Sequence, residues 1–110
     1  MKIFITAQTN EANSKMDSRF GRCRFFHVYD TETKKIQVLE NPGFDAMGGA
    51  GIQTANFILD NNANILITGH LGPNANKIIK NSDVKVFMSE KENISEIIED
   101  YINNKLNELE

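Results

Sequence analysis

An α/β fold, with a five-stranded mixed sheet flanked by helices, is the prediction for this chain, and three observations carry it. Short apolar runs rich in Ile, Val and Phe recur along the sequence. The later runs are separated by segments whose apolar residues fall at helical spacing. The second and third runs are separated only by a polar turn, which marks a hairpin. The resulting order is β-β-β-α-β-α-β-α.

Each element has its own warrant. Ile3-Phe4-Ile5 is a buried-strand run within Lys2 to Ala7. A polar stretch from Gln8 to Arg22 follows, long enough to be functional or mobile. Phe25-Phe26-His27-Val28-Tyr29 is an aromatic strand, Asp30 to Thr33 a turn, and Ile36-Gln37-Val38 its hairpin partner. Asn41-Pro42-Gly43 is turn chemistry that stops the third strand. A helix over about Gly48 to Asn61 places Ile52, Ala55, Ile58 and Leu59 on one face. Ile65-Leu66-Ile67 is apolar throughout, as a central parallel strand should be. Pro73 suits the first turn of a second helix with Ala75, Ile78 and Ile79 inward. Val84 to Met88 is the fifth strand. Asn93 and Glu96 form a capping box opening a last helix, whose stripe is Ile94, Ile97, Ile98, Tyr101 and Ile102. The stretch Asn103 to Glu110 is expected to be frayed or reserved for a partner.

The bulk properties narrow the function. The chain has 110 residues, 40% hydrophobic and 25% charged, and is expected to form one domain over residues 1–110. Its net charge of -3 disfavours broad contact with nucleic acid or anionic membranes, which require a basic face. No run approaches membrane-spanning length. Met1 to Thr6 turns polar too soon for a secretory signal, so a cytoplasmic location is expected. The one cysteine, Cys23, cannot form an internal disulfide.

The chemistry collects at one edge of the sheet. If strands one, three and four run parallel, their carboxyl ends share the edge where open α/β sheets bind ligands. Gln8 to Arg22, Cys23, Asn41 to Gly51 and Gly69 to Pro73 converge there. Gly48, Gly49, Ala50 and Gly51 open a helix, whose unpaired N–H groups and partial positive charge suit an anion. The same glycines also suit a tight entry into close packing. Arg19 and Arg22 add positive charge, and Gln53 offers a hydrogen bond. Cys23, His70, Met16 and Met47 add soft donors. A negatively charged metal–sulfur species satisfies both sets.

These residues form a recognisable pattern. Asp17-Ser18-Arg19-Phe20-Gly21-Arg22-Cys23, Phe25-Phe26, Asn41-Pro42, Gly48 to Ala55, and Gly69-His70-Leu71-Gly72-Pro73-Asn74-Ala75 follow one another in order. Together they resemble the dinitrogenase iron–molybdenum cofactor biosynthesis family, which includes NifX-like proteins, the C-terminal domain of NifB and the molybdenum–copper orange proteins. The resemblance covers nearly the whole chain. It implies a ribonuclease H-like layered fold and a non-catalytic protein that binds or carries metal–sulfur clusters or their precursors. It also implies a cluster donor or acceptor protein as partner. Arg24 departs from the pattern, where proline is common, and Cys23 and His70 stand at positions that vary within the family.

Each candidate carries a second reading. Cys23 is a metal ligand, its pKa lowered by Arg22 and Arg24, or a thiol at the start of a strand. A single cysteine falls short of the four thiolates usual for an iron–sulfur cluster. A homodimer, or a cluster arriving with its own sulfides, would remove that difficulty. His70 is a ligand or a solvent-facing loop histidine. His27, alternating with Phe25 and Tyr29, is a structural histidine. Met16 and Met47 are thioether donors or packing residues. Arg19 and Arg22 clamp an anion or pair with Asp17. Two other function classes compete. One is an anion- or nucleotide-sensing module at the glycine-rich helix start, although no lysine follows the glycines as in a P-loop. The other is a ribonuclease H-like nuclease, disfavoured because the first strand carries no carboxylate.

Overall fold

The structure, a computed structural model, describes residues 1–109. Its elements are β1 (Lys2–Ala7), β2 (Phe25–Asp30), β3 (Ile36–Glu40), α1 (Ala50–Asp60), β4 (Ile65–Thr68), α2 (Pro73–Lys80), β5 (Lys85–Met88), α3 (Ile94–Ile102) and β6 (Asn107–Glu108). They form one mixed sheet of order β3-β2-β1-β4-β5-β6. β1 pairs parallel with β4, and β4 with β5, while β2 and β6 run against their neighbours. β1, β3, β4 and β5 therefore point the same way, and their carboxyl ends share one edge.

Strand alternation divides the core between the two faces of the sheet. Phe4, Phe26, Val28, Leu66 and Val86 face one side with Ala55 and Ile58 of α1 and Ala75 and Ile79 of α2. Ile3, Ile5, Phe25, Ile65 and Ile67 face the other side with Ile94, Ile97 and Ile98 of α3. Phe26 anchors the first layer, its ring 5.7 Å from Phe4, 6.0 Å from Phe20 and 6.2 Å from Phe57. Burying such a ring is worth about 2–3 kcal/mol. α3 begins as its capping box predicts, with Asn93 Oδ1 accepting from the Glu96 N–H at 3.0 Å.

Two expectations need correction. The sheet has six strands among the described residues, not five. The extra strand lies in the segment expected to fray: β6 pairs with Phe87 and Met88, and the Leu109 N–H donates to the Val86 carbonyl at 2.8 Å. Glu110 lies outside the described residues. On α1 the buried positions are Ala50, Thr54, Ala55 and Ile58, whereas Ile52 is 43% exposed. The inner face is rotated toward Thr54 because its hydroxyl finds partners inside, 2.9 Å from the Gly21 carbonyl and 3.1 Å from Asn41 Oδ1.

The long segment between β1 and β2 is tied down along its length. The Met16 N–H donates to the Glu92 carbonyl at 2.7 Å and the Asp17 N–H to the Thr6 carbonyl at 2.9 Å. The Thr6 hydroxyl donates back to the Asp17 carbonyl and lies 3.1 Å from the Thr68 hydroxyl. A Cβ at Gly69 would stand 3.0 Å from the Ser18 Cα, so this loop sits directly on the end of β4. His27 is buried in β2 as a structural histidine, its Nε2 3.0 Å from the Thr9 carbonyl.

Candidate functional site

Three loops meet at the carboxyl edge because glycine lets their backbones touch. A Cβ on Gly21 would lie 3.0 Å from the Gly51 nitrogen and 3.1 Å from its Cα, so the loop after Arg19 rests on the first turn of α1. Gly51 in turn stands 3.5 Å, measured from its would-be Cβ, from the Ala75 Cβ of α2. The Phe20 N–H donates to the His70 carbonyl at 3.3 Å and closes the third side. Asn41 locks the arrangement from beneath. Its Nδ2 donates to the Cys23 carbonyl at 2.8 Å and the Gly21 carbonyl at 3.2 Å, while its Oδ1 accepts from the Gly43 N–H at 3.0 Å.

Above this base lies a cleft of about 390 Å³. The starts of both α1 and α2 line it, through Gly49 to Ile52 and Gly72 to Ala75. Neither helix start has a side-chain cap: α1 opens at Gly49, in the left-handed region at φ 66°, and α2 opens at Gly72 followed by Pro73. No side chain caps the first-turn N–H groups of α1 or those of Asn74 and Ala75 in α2, where Pro73 has none to offer, and each helix start carries partial positive charge. Arg19, Arg22 and His70 complete the wall, and no carboxylate lines the cleft among the described residues. Phe20, Ile52 and Ala75 supply apolar surface. The arrangement suits an anion with a polarizable or apolar body.

The arginines are held differently. Asp17 is buried and grips Arg19 at two points, Nε to Oδ1 at 3.2 Å and Nη2 to Oδ2 at 3.1 Å. That hydrogen bonding, reinforced by the carboxylate's charge, raises the Arg19 pKa. Arg19 remains mostly exposed and so is aimed without being consumed. Arg22 is exposed and donates to the Ala46 carbonyl across the loop before α1. Arg24 lies away from the cleft, its guanidinium 5.5 Å from the Phe25 ring and 5.4 Å from Phe44.

Of the residues expected to bind, Arg19, Arg22, Gly49, Ala50 and Gly51 come together with His70. Gly48 and Gln53 do not line the cleft; Gln53 is exposed on α1 and Gly48 has open space around it. Cys23 is fully buried among Phe4, Phe20 and Phe26, and lies outside the cleft lining. Burial pushes its pKa up to about 12, with the Asp17 charge adding to the rise, against weaker opposition from Asn41 and Arg19. The expected lowering by Arg22 and Arg24 does not occur, because burial of the thiol dominates and neither arginine is among the groups that act on it. Met16 packs in the core, whereas Met47 is fully exposed. Among the described residues no group of three or more His, Cys, Asp or Glu could hold a metal ion.

The segments Asn41 to Gly51 and Gly69 to Pro73 meet at this edge as expected, but the sequence did not mark the α2 start as an anion-facing helix terminus or the Asn41 side chain as the lock beneath the loops. Gly72-Pro73 was the available signal for the helix start, being a glycine followed by an N1 proline. Asn41 carries turn chemistry and a motif position in the sequence, neither of which shows that its side chain is buried and bridges other loops.

Comparison with known proteins agrees with this architecture. A solved structure of the apo form of the orange protein from Desulfovibrio gigas superposes with a TM-score of 0.91 at 24% identity, covering 98% of this chain and 92% of that one. An NMR structure of a NifB-type protein from Thermotoga gives a TM-score of 0.85 at 30% identity, with the same coverage of 98% and 92%. An uncharacterised protein of Methanocaldococcus jannaschii is 28% identical over 101 residues, 89% of this chain and 86% of its own length. The family model for the dinitrogenase iron-molybdenum cofactor matches residues 1–104. With that match spanning nearly all of the sequence, the chain belongs to the dinitrogenase iron–molybdenum cofactor family.

Proposed function

We propose that this protein is a non-catalytic carrier that takes an anionic metal–sulfur cluster, or a thiometallate precursor of one, into the cleft between the starts of α1 and α2. One observation carries the reading. Two uncapped helix starts, with Arg19 and Arg22, line a single cleft that no carboxylate lines among the described residues. Each helix start contributes about 0.3–1 kcal/mol toward an anion, and more when shielded from water. A charged hydrogen bond from arginine adds about 1.5–3 kcal/mol. The apolar part of the wall separates a sulfide-rich body from a strongly hydrated oxyanion.

His70 is the metal ligand in this reading, while the cluster brings its own sulfides. Cys23 joins only if the Gly21–Arg24 segment opens, since its thiol is buried and protonated at neutral pH. The family membership and the similarity to a NifB-type protein support cluster handling, within the ribonuclease H-like frame that the sequence resemblance implies. Delivery would need a donor or acceptor protein docking over the cleft in the cytoplasm. A hydrolytic nuclease is disfavoured because β1 carries no carboxylate and none lines the cleft among the described residues.

Protein prepared without oxygen should take up tetrathiomolybdate, alone or with copper(I), or iron with sulfide, giving charge-transfer absorption in stoichiometric amount. Arg22→Ala should weaken uptake by roughly tenfold or more. Uptake of molybdate or a nucleotide in preference to every sulfur-containing probe would overturn the proposal and favour an anion-sensing module.

A further inference from the structure

We infer that Met47 is a second soft ligand of this cleft, carried on a short glycine arc that folds over the mouth when the cargo is bound. The inference rests on the proposed function and adds a ligand that neither the fold nor the family assigns.

Met47 is 104% exposed, so its thioether touches nothing that packing could explain. A methionine normally contributes by filling apolar space. The chain on either side is anchored, and the arc itself is not. Ala46 is held through its carbonyl by Arg22, and its N–H donates to the Gly43 carbonyl at 3.3 Å. Ala50 is the first residue of α1 and is buried. Between them run Met47, Gly48 and Gly49. A Cβ at either glycine would meet nothing within 4 Å, and Gly49 already occupies the left-handed region at φ 66°. The arc therefore turns without breaking packing, and its glycines cross the backbone map at little cost. Its far end is the cleft wall, because Gly49 is one of the lining residues. Two residues span no more than about 7 Å, so the Met47 Cα stays close to that wall, and a swing of the arc brings its thioether over the mouth.

The chemistry completes what the fixed wall lacks. His70 is the single soft donor among the cleft-lining residues. A thioether has no charge, so it adds no repulsion toward an anionic cluster, and it prefers copper(I) and similarly soft metals. Arg22 links the two states. Its guanidinium holds the Ala46 carbonyl in the structure described here, and an anion in the cleft competes for the same donor group. Transfer of Arg22 to the anion frees the arc at its Ala46 end, which lets Met47 swing over the mouth.

The test uses methionine labelled with carbon-13 at the methyl group, in full-length protein without oxygen, with copper(I) plus tetrathiomolybdate as the probe. Four methionines give four signals, those of Met1, Met16, Met47 and Met88. Only the Met47 signal should move strongly on loading, while buried Met16 stays in place. Met47→Leu keeps the apolar bulk and removes the sulfur, and it should weaken copper uptake by about tenfold or more. Met47→Leu binding like the parent, or an unmoved Met47 signal in loaded protein, overturns the inference and leaves the carrier function standing. No uptake by the parent protein overturns both. Since Met47 is fully exposed, the substitution does not endanger folding.

Discussion

Asn41 offers the sharpest test of how the cleft is held together. Its side chain is buried and connects three segments: Cys23 and Gly21 before β2, Gly43 after β3, and Thr54 on α1. In Asn41→Ala the Gly21 carbonyl keeps the Thr54 hydroxyl at 2.9 Å, but the Cys23 carbonyl and the Gly43 N–H lose the partners described here. An orphaned buried polar group costs about 1–3 kcal/mol, so the pair should cost about 4 kcal/mol. A chain of this size is stable by only about 5–15 kcal/mol. With a urea slope of about 2 kcal/mol per molar, the midpoint should fall by roughly 2 M with the slope unchanged. Asn41→Asp sharpens the test. The carboxylate still accepts from Gly43, but it sets a negative oxygen against the Cys23 carbonyl. Protonation restores a donor, so the Asp variant should lose less stability relative to the parent at acid pH than at neutral pH. A loss below about 1 kcal/mol in Asn41→Ala, or an Asp variant without that pH dependence, would refute the view that Asn41 fixes the loops.

Two further outcomes are expected. Because the Cys23 pKa is raised in the folded state, unfolding releases its proton more readily as pH climbs, so stability present below pH 9.0 is lost on the way to about 12. The slope should approach about 1.4 kcal/mol per pH unit, and it should appear as the difference between the parent and Cys23→Ala in alkaline urea titrations. Gly21→Ala pushes a methyl group into the backbone of Gly51 and should destabilise by about 1–3 kcal/mol while narrowing the cleft. Gly48→Ala meets no neighbour and should stay within about 0.5 kcal/mol, so equal effects in the two variants would show that the close approach is not real.

Much of the fold was legible because its signals are local. The alternation of Phe25, His27 and Tyr29 against Phe26 and Val28 fixed the faces of β2, and the Asn93–Glu96 box fixed the start of α3. β6 was hidden because Asn107 and Glu108 are polar and exposed; only backbone bonding to β5 makes them a strand. The turn of α1 toward Thr54 was hidden for a related reason. A buried hydroxyl is tolerable only when distant partners satisfy it, and Gly21 and Asn41 lie far away in sequence. The convergence of loops at the carboxyl edge followed from strand direction. The aim of each arginine did not, because neighbouring Arg22 and Arg24 diverge toward a carbonyl and a pair of rings contributed by other loops. Cys23 was read from its charged neighbours in sequence, whereas its surroundings in space are aromatic.

The division of the core by the sheet has a consequence for how such a chain can change. The cleft is built from the starts of α1 and α2 and the loops before β2 and after β4, while Ile94, Ile97 and Ile98 of α3 pack on the opposite face of the sheet. Met16, in the loop that carries Arg19, is the tie between the two sides, since it packs with the α3 stripe and its N–H donates to the Glu92 carbonyl. Changes under α3 away from Met16 should therefore add to changes at the helix starts. Cargo preference can therefore drift through the helix starts while the α3 layer is repacked for heat tolerance, each without reopening the other's solution. An engineer redirecting the cleft to a different thiometallate would do well to strengthen α3 first, and spend the added stability on the loops.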